Sequence, residues 1–185
     1  MENRLFTTFP SPFDTFTVIW NGTGSKLKVQ RIFLSDPDKK SEEKAKTKYP
    51  QINPGSNSSI TFLADKIHNF LKGEEIEFSV DLVDFNLCTK IQEKVLKAEF
   101  EIPRGWISTY KRIAKKIGVI NGARVVGNSL ARNPFPIIIP CHRAIKSNGE
   151  LGGYQGGLKM KQKLLEMEGV EFSSRGKVIT DKIYF

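Results

Sequence analysis

The chain has 185 residues, 39% hydrophobic and 26% charged, with a formal net charge of +9. That length holds one domain or two small ones, and the balance is that of a soluble globular protein. No apolar run nears the roughly 18 residues that span a bilayer, the first five residues offer no apolar signal core, and two cysteines make no disulfide framework, so free thiols in a reducing compartment are expected.

Residues 1–34 read as strands. Asp14 to Trp20 and Lys28 to Leu34 alternate, and Asn21-Gly22-Thr23-Gly24-Ser25 supplies the turn of a hairpin. Residues 35–58 are charged and then rich in Pro, Asn and Ser, which predicts an exposed connection with a short helix around Glu42 to Lys48. Ser59 is the expected cap of a helix that sets Ile60, Leu63, Ala64, Ile67, Phe70 and Leu71 on one stripe and stops at Gly73. Ile76 to Leu82 alternates as a further strand. Near Val83 to Asn86 strand periodicity gives way to helical periodicity, and a domain boundary is expected there.

Leu87 to Phe100 reads as a helix, with Leu87, Ile91, Val95, Leu96 and Ala98 on its apolar face and Cys88 beside it as an inert packed thiol. After the break at Ile102-Pro103-Arg104-Gly105 come two short helices. Ser108 or Thr109 caps the first, whose Tyr110, Ile113, Ala114 and Ile117 share a face. Asn121 is the expected cap of the second, about Ala123 to Ala131, with Val126 and Leu130 inward. Asn133, a residue tolerant of left-handed dihedrals, and Pro134 end it. Residues 104–149 hold nine basic side chains and no acidic one, whereas residues 1–103 balance 14 basic against 15 acidic. Two basic helices around a Gly-containing turn read as a helix-turn-helix, and the charge points to a nucleic-acid backbone. No long amphipathic basic helix favours a membrane surface.

Ile137 to Ile139, held between Pro136 and Pro140, reads as a short buried strand. At its end stand Cys141, His142 and Arg143. A thiol needs a nearby base or cation to become a nucleophile, and His142 is placed to serve through a bridging water. In Leu151-Gly152-Gly153-Tyr154-Gln155-Gly156-Gly157 the glycines allow close backbone approach, and Tyr154 suggests a pocket wall. A last helix, about Leu158 to Glu168, puts Glu168 on the stripe of Leu164 and Leu165, facing inward, where a carboxylate wants a histidine or arginine partner. Val170 to Phe185 alternates weakly, as for a terminal strand pair.

The motifs Ile102-Pro103-Arg104-Gly105, Thr109-Tyr110, Ala123-Arg124-Val125-Val126-Gly127, Asn133-Pro134, Pro140-Cys141-His142-Arg143, Gly152-Gly153-Tyr154 and Glu168-Gly169 occur here in one order and spacing. In these the chain resembles the O6-alkylguanine-DNA alkyltransferases, most densely from Ile102 to Gly169. The resemblance implies direct, irreversible transfer of an alkyl group from O6-alkylguanine, flipped out of double-stranded DNA in a minor-groove complex, to Cys141. It implies catalytic roles for His142, Glu168 and Tyr110, a stack-filling Arg124, and DNA contacts from Ala123, Gly127, Lys111 and Arg132. Asn133, Leu130, Pro136, Arg143, Tyr154 and Gln155 would form the alkyl pocket. Lys111 stands where many members have glycine and Gln155 where serine is common. The zinc ligands of some members are missing, so no metal and no cofactor is expected. The expected fold is α/β: a small N-terminal α/β domain with an antiparallel sheet (residues 1–86) and a mainly α-helical C-terminal domain (87–185) carrying the helix-turn-helix. The expected protein is a monomer of the cytoplasm, or of the nucleus in a eukaryote. A non-reacting damage binder would lack Cys141, a purely regulatory helix-turn-helix protein would not need the Cys-His-Arg site, and a cysteine hydrolase would not need the basic helices.

Overall fold

The structure is a computed structural model that describes residues 4–185; the first three residues of the expected N-terminal strands lie outside it. The fold is α/β. Two compact units are present, one built from the chain up to Leu87 together with Pro134–Ile138, the other from Cys88–Asn133 and Ile139–Phe185.

In the first unit β1 (Leu5–Ser11), β2 (Asp14–Asn21), β3 (Lys28–Leu34) and the two-residue β4 (Asn53–Pro54) form one sheet in the order β3-β2-β1-β4. β1–β2 and β2–β3 are antiparallel, and β4 joins β1 in parallel. The expected hairpin is therefore present. Along β2, however, Phe16 to Trp20 are all buried rather than alternately so, because this inner strand is covered on both faces. The buried Thr17 is accommodated by hydroxyl hydrogen bonds of 2.9 Å to Thr8 and to Ser41. Ser41 opens α1 (Ser41–Lys48), whose Ala45 packs with Phe6, Ile19 and Phe33. The next helix, α2 (Ser58–Leu71), buries the expected stripe, but its cap is Asn57, whose side chain accepts from the Ser59 amide, and not Ser59 itself. Ile76 to Leu82 forms no strand. Its exposure alternates, yet only Val83, just beyond it, makes a bridge, to Val29; period-two burial without a neighbour to pair with is not a sheet.

The second unit begins with α3 (Lys90–Phe100), capped by Thr89, and Leu87 falls in a 3-10 turn ahead of it. β5 (Ser108–Thr109) leads into α4 (Tyr110–Lys116), capped by the Thr109 hydroxyl, and α5 spans Ala123–Ala131. Gly122, not Asn121, stands at the α5 cap. Asn121 instead takes φ +54 in the turn, the short-range use of αL that asparagine tolerates. Asn133 adopts no positive φ among the described residues, and the α5 end is secured from outside by Gln92, whose amide donates to the Ser129 and Arg132 carbonyls.

The expected strand Ile137–Ile139 is a turn: Ile137 takes φ +74 and Cys141–Arg143 form one turn of 3-10 helix. β6 (Ala144–Ile145) pairs in parallel with β5, α6 covers Leu158–Met167, and β7 (Glu171–Phe172) with β8 (Val178–Ile179) makes the terminal strand pair. The tail returns to the start of the helix pair. Ile107 donates to the Lys182 carbonyl at 3.1 Å and accepts from the Tyr184 amide at 2.8 Å.

Candidate active site

The site is assembled where the 3-10 turn, α6 and α3–α5 of the second unit meet. Cys141, His142 and Arg143 are held in that turn by 2.8 Å backbone bonds from Cys141 N to the Ile139 carbonyl and from Arg143 N to the Pro140 carbonyl. Asn133 braces the approach, donating through Nδ2 to the Ile139 carbonyl at 3.2 Å, and its side chain also hydrogen-bonds the Cys141 thiol.

Glu168, the C-cap residue of α6, is the hub. His142 Nε2 lies 2.8 Å from its Oε1. Arg143 donates from Nε to Oε2 at 2.9 Å and from its terminal nitrogen to Oε1 at 2.8 Å, while its other terminal nitrogen donates to the Ile102 carbonyl at 2.6 Å. The sequence reading set Arg143 in the pocket wall; here its guanidinium is committed to Glu168. Burial alone would raise the Glu168 pKa, but His142 and Arg143 outweigh it and hold the carboxyl far below the usual range. Glu168 is therefore ionised and only accepts, so Nε2 carries the imidazole proton and Nδ1 is the basic atom. Burial keeps His142 neutral, against the opposing pull of Glu168.

Cys141 is 6% exposed. Burial pushes its thiol up to about 12; the Asn133 hydrogen bond and the Lys161 charge oppose this, and Glu99 adds to it. The resting thiol is thus protonated. Tyr110, first residue of α4, is likewise pushed up to about 12 by burial, with Glu99 and Cys141 adding. Its hydroxyl rests on Gly152: a Cβ built there would lie 2.4 Å from Tyr110 Oη, and φ is +71. This is the close backbone approach that the glycine-rich loop foreshadowed, and it is made to a tyrosine of the site. Tyr154 from the same loop packs edge-on to His142, 6.4 Å between ring centroids.

Arg124, Lys111 and Arg132 are exposed on the helix pair, Ala123 is half-buried, and Gly127 faces open space, where a Cβ would meet no atom within 4 Å. The protein's own packing does not demand glycine at 127. Leu130 is buried beside Val126, and Gln155 is half-buried. Pro136 is buried and belongs to the first unit.

Two buried charged groups of the site region escaped the sequence reading. Lys161 is fully buried on α6; its ammonium donates to the Ala144 and Leu151 carbonyls at 2.6 and 2.7 Å and stands 6.0 Å from the Tyr110 ring centre. Glu99 is fully buried on α3, and neither carboxyl oxygen has a hydrogen-bond partner. Both lie on stripes that were legible. Lys161 precedes Leu164, Leu165 and Glu168 by three, four and seven residues, and Glu99 follows Val95 and Leu96 by four and three.

Burial pushes Glu99 up to about 8, above its unfolded value. Its cost to the fold therefore grows as pH rises out of the carboxylate range and is complete above about pH 8. Glu99→Leu should raise the unfolding free energy by about 2 kcal/mol at pH 7, and by less at pH 4. Urea titrations at the two pH values would measure this; an equal gain at both would contradict it.

Residues 90–170 match the family model described as the DNA binding domain of 6-O-methylguanine DNA methyltransferase. A Mycobacterium tuberculosis protein named methylated-DNA–protein-cysteine methyltransferase is 36% identical over 163 residues, which cover 88% of this chain and 91% of that one. This chain belongs to the methylated-DNA–protein-cysteine methyltransferase family. A second member, from Methanothermobacter thermautotrophicus, is 46% identical over 117 residues, 63% of this chain and 65% of that protein. The crystal structure of the M. tuberculosis O6-methylguanine methyltransferase aligns over 89% of this chain and 92% of its own, with a TM-score of 0.69 and 32% identity. The structure of M. tuberculosis OGT in complex with DNA aligns over 88% and 91%, with a TM-score of 0.69 and 31% identity. The methyltransferase fold thus accounts for both units, and no helix among the described residues is long and apolar enough to cross a membrane.

Proposed function

We propose that this protein repairs DNA by taking the alkyl group of O6-alkylguanine onto Cys141 in a single irreversible transfer. The observation that carries this reading is the buried Cys141-His142-Glu168 arrangement set behind a helix pair in a stretch with nine basic and no acidic side chains. The flipped guanine enters with its O6-alkyl carbon facing Sγ. His142 Nδ1, kept basic by the Glu168 carboxylate on the opposite nitrogen, accepts the thiol proton through a water. The sulfur–carbon bond forms as the carbon–O6 bond breaks. Tyr110 supplies a proton to the departing purine and regains one from solvent. The thioether has no base-reversible leaving group, so each chain acts once.

Binding and chemistry both fall to the C-terminal domain, residues 87–185 in this reading, and residues 1–86 form a separate N-terminal α/β domain. The working form is a monomer, and its free thiols suit the cytoplasm or nucleus. Arg124 is exposed on α5 and fills the gap left by the flipped base, while the small residues Ala123 and Gly127 let the helix approach the minor groove. Asn133, Tyr154 and Gln155 shape the alkyl pocket with Leu130.

Incubation with a duplex carrying one O6-methylguanine should add the mass of one methylene, stop at one equivalent and map to Cys141. An unchanged mass with tight lesion binding would replace this reading by that of a non-reacting damage binder. Arg124→Ala should slow transfer from the duplex about thirtyfold, the loss of ~2 kcal/mol of stack-filling interaction, yet leave Cys141 labelling by iodoacetamide unchanged. Equal slowing of both reactions would mean that the substitution damages the site rather than the DNA contact.

A further inference from the structure

Glu99 has no part in the transfer steps above, yet it is buried in their midst. A buried carboxyl ordinarily takes several donors; both oxygens of Glu99 have none. The cations that reach it are Lys161 on α6 and Arg143 in the 3-10 turn. Neither donates to it: Lys161 bonds to the Ala144 and Leu151 carbonyls, and Arg143 to Glu168 and the Ile102 carbonyl. Glu99 in turn acts on Tyr110 of α4 and Cys141 of the turn. On α5, Arg124 and Arg132 are exposed; Lys97 of α3 itself pairs outward with Glu93, and Lys116 of α4 with Glu101.

We propose that Glu99 is a positioning residue that governs how readily Cys141 gives up its proton, according to whether Glu99 is itself neutral or charged. This rests on the transfer reading for its consequence, though not for its physics. Burial lowers Lys161 as well, to about 8, so it is below that pH, with Glu99 neutral, that the Lys161 charge stands uncompensated and favours the thiolate. Once ionised, Glu99 cancels that field, and of the two charges it bears more strongly on the thiol. It therefore opposes the thiolate even while Lys161 stays protonated. Burial sets the changeover near pH 8, so the site loses nucleophilicity relative to an ordinary thiol as the pH rises beyond neutral.

The test compares full-length protein with Glu99→Gln, both carrying Cys88→Ser so that Cys141 is the sole thiol. Two rates are followed from pH 6.5 to 9.5: iodoacetamide labelling of Cys141, and single-turnover methyl transfer from an O6-methylguanine duplex. The expected ratio of variant to parent is near one at pH 6.5 and about threefold or more at pH 9.5 for labelling, with transfer following. Glu99→Leu, equally unable to ionise, should give the same trend and covers the case that the glutamine variant does not fold. A labelling ratio that is constant across the range, whatever its size, overturns the proposal, since a purely structural role would act at every pH. A rising labelling ratio with no transfer by either protein upholds it and instead removes the transfer reading.

Discussion

Cys141→Ser should end alkyl transfer altogether and leave recognition of the lesion duplex intact. The site is built to draw a proton from a group that gives it up reluctantly. Even the thiol, pushed up to about 12 by burial, depends on the Asn133 hydrogen bond, the Lys161 charge and the neighbouring imidazole to become a nucleophile. A serine hydroxyl is several orders of magnitude less acidic and its oxygen less polarisable, so the same aids do not suffice. Substituting one small buried atom for another leaves the basic helices untouched. The expected result is no mass gain over hours with excess duplex, against an affinity by fluorescence anisotropy within about threefold of the parent, since the phosphate contacts that dominate it are unchanged. Transfer by the serine variant would remove Cys141 as the acceptor. Cys88, half-buried ahead of α3, offers the matching control.

Glu168→Gln comes next in size. It should slow transfer by at least about a hundredfold, the usual scale of general-base assistance, and lower stability by about 3–5 kcal/mol. The amide is nearly isosteric, so the loss is electrostatic. Arg143, 11% exposed at its side chain, keeps its charge with no anion beside it, and His142 loses the carboxylate that supports its protonated form. The sign of the pH dependence follows. The folded pKa of Glu168 lies below the unfolded one. The stability it contributes is therefore present in full above about pH 4, the ordinary glutamate range, and is lost as the pH falls below it. Melting curves of parent and variant should be far apart at pH 7 and draw together in acid. Curves that stay parallel down to pH 2 would mean that the pairing is not what Glu168 supplies.

The sequence spoke most clearly where period and chemistry agreed. Ala123 to Ala131 was readable because Val126 and Leu130 fall on one face between a glycine turn and Asn133-Pro134. Glu168 could be singled out because an acid on a leucine stripe is anomalous. Lys161 and Glu99 sit on equally apolar stripes and were passed over, because lysine and glutamate on helices usually reach solvent; only packing shows that here they do not. Ile137–Ile139 misled for the opposite reason. β-branched residues favour strands, but prolines on both sides remove ladder donors, and the chain turns instead through a positive φ at Ile137 that no propensity scale would assign to isoleucine. Ile76–Leu82 has the alternation of a strand and lacks a neighbour in register, which is a property of the whole fold.

The proposed acceptor sulfur is at once a reactive atom and part of a buried interior, shut in at 6% exposure beside the wholly buried Ile139. Alkylation thus does to the protein what a small-to-large core substitution does. Whatever part of the added group the proposed alkyl pocket does not take up must displace neighbouring side chains, at a cost of up to about 1–3 kcal/mol. A chain that has reacted is overfilled as well as spent. Its repair history is written into its own stability, with larger adducts leaving a deeper mark, and any cellular machinery that samples loosened folds is thereby given a way to tell used molecules from fresh ones.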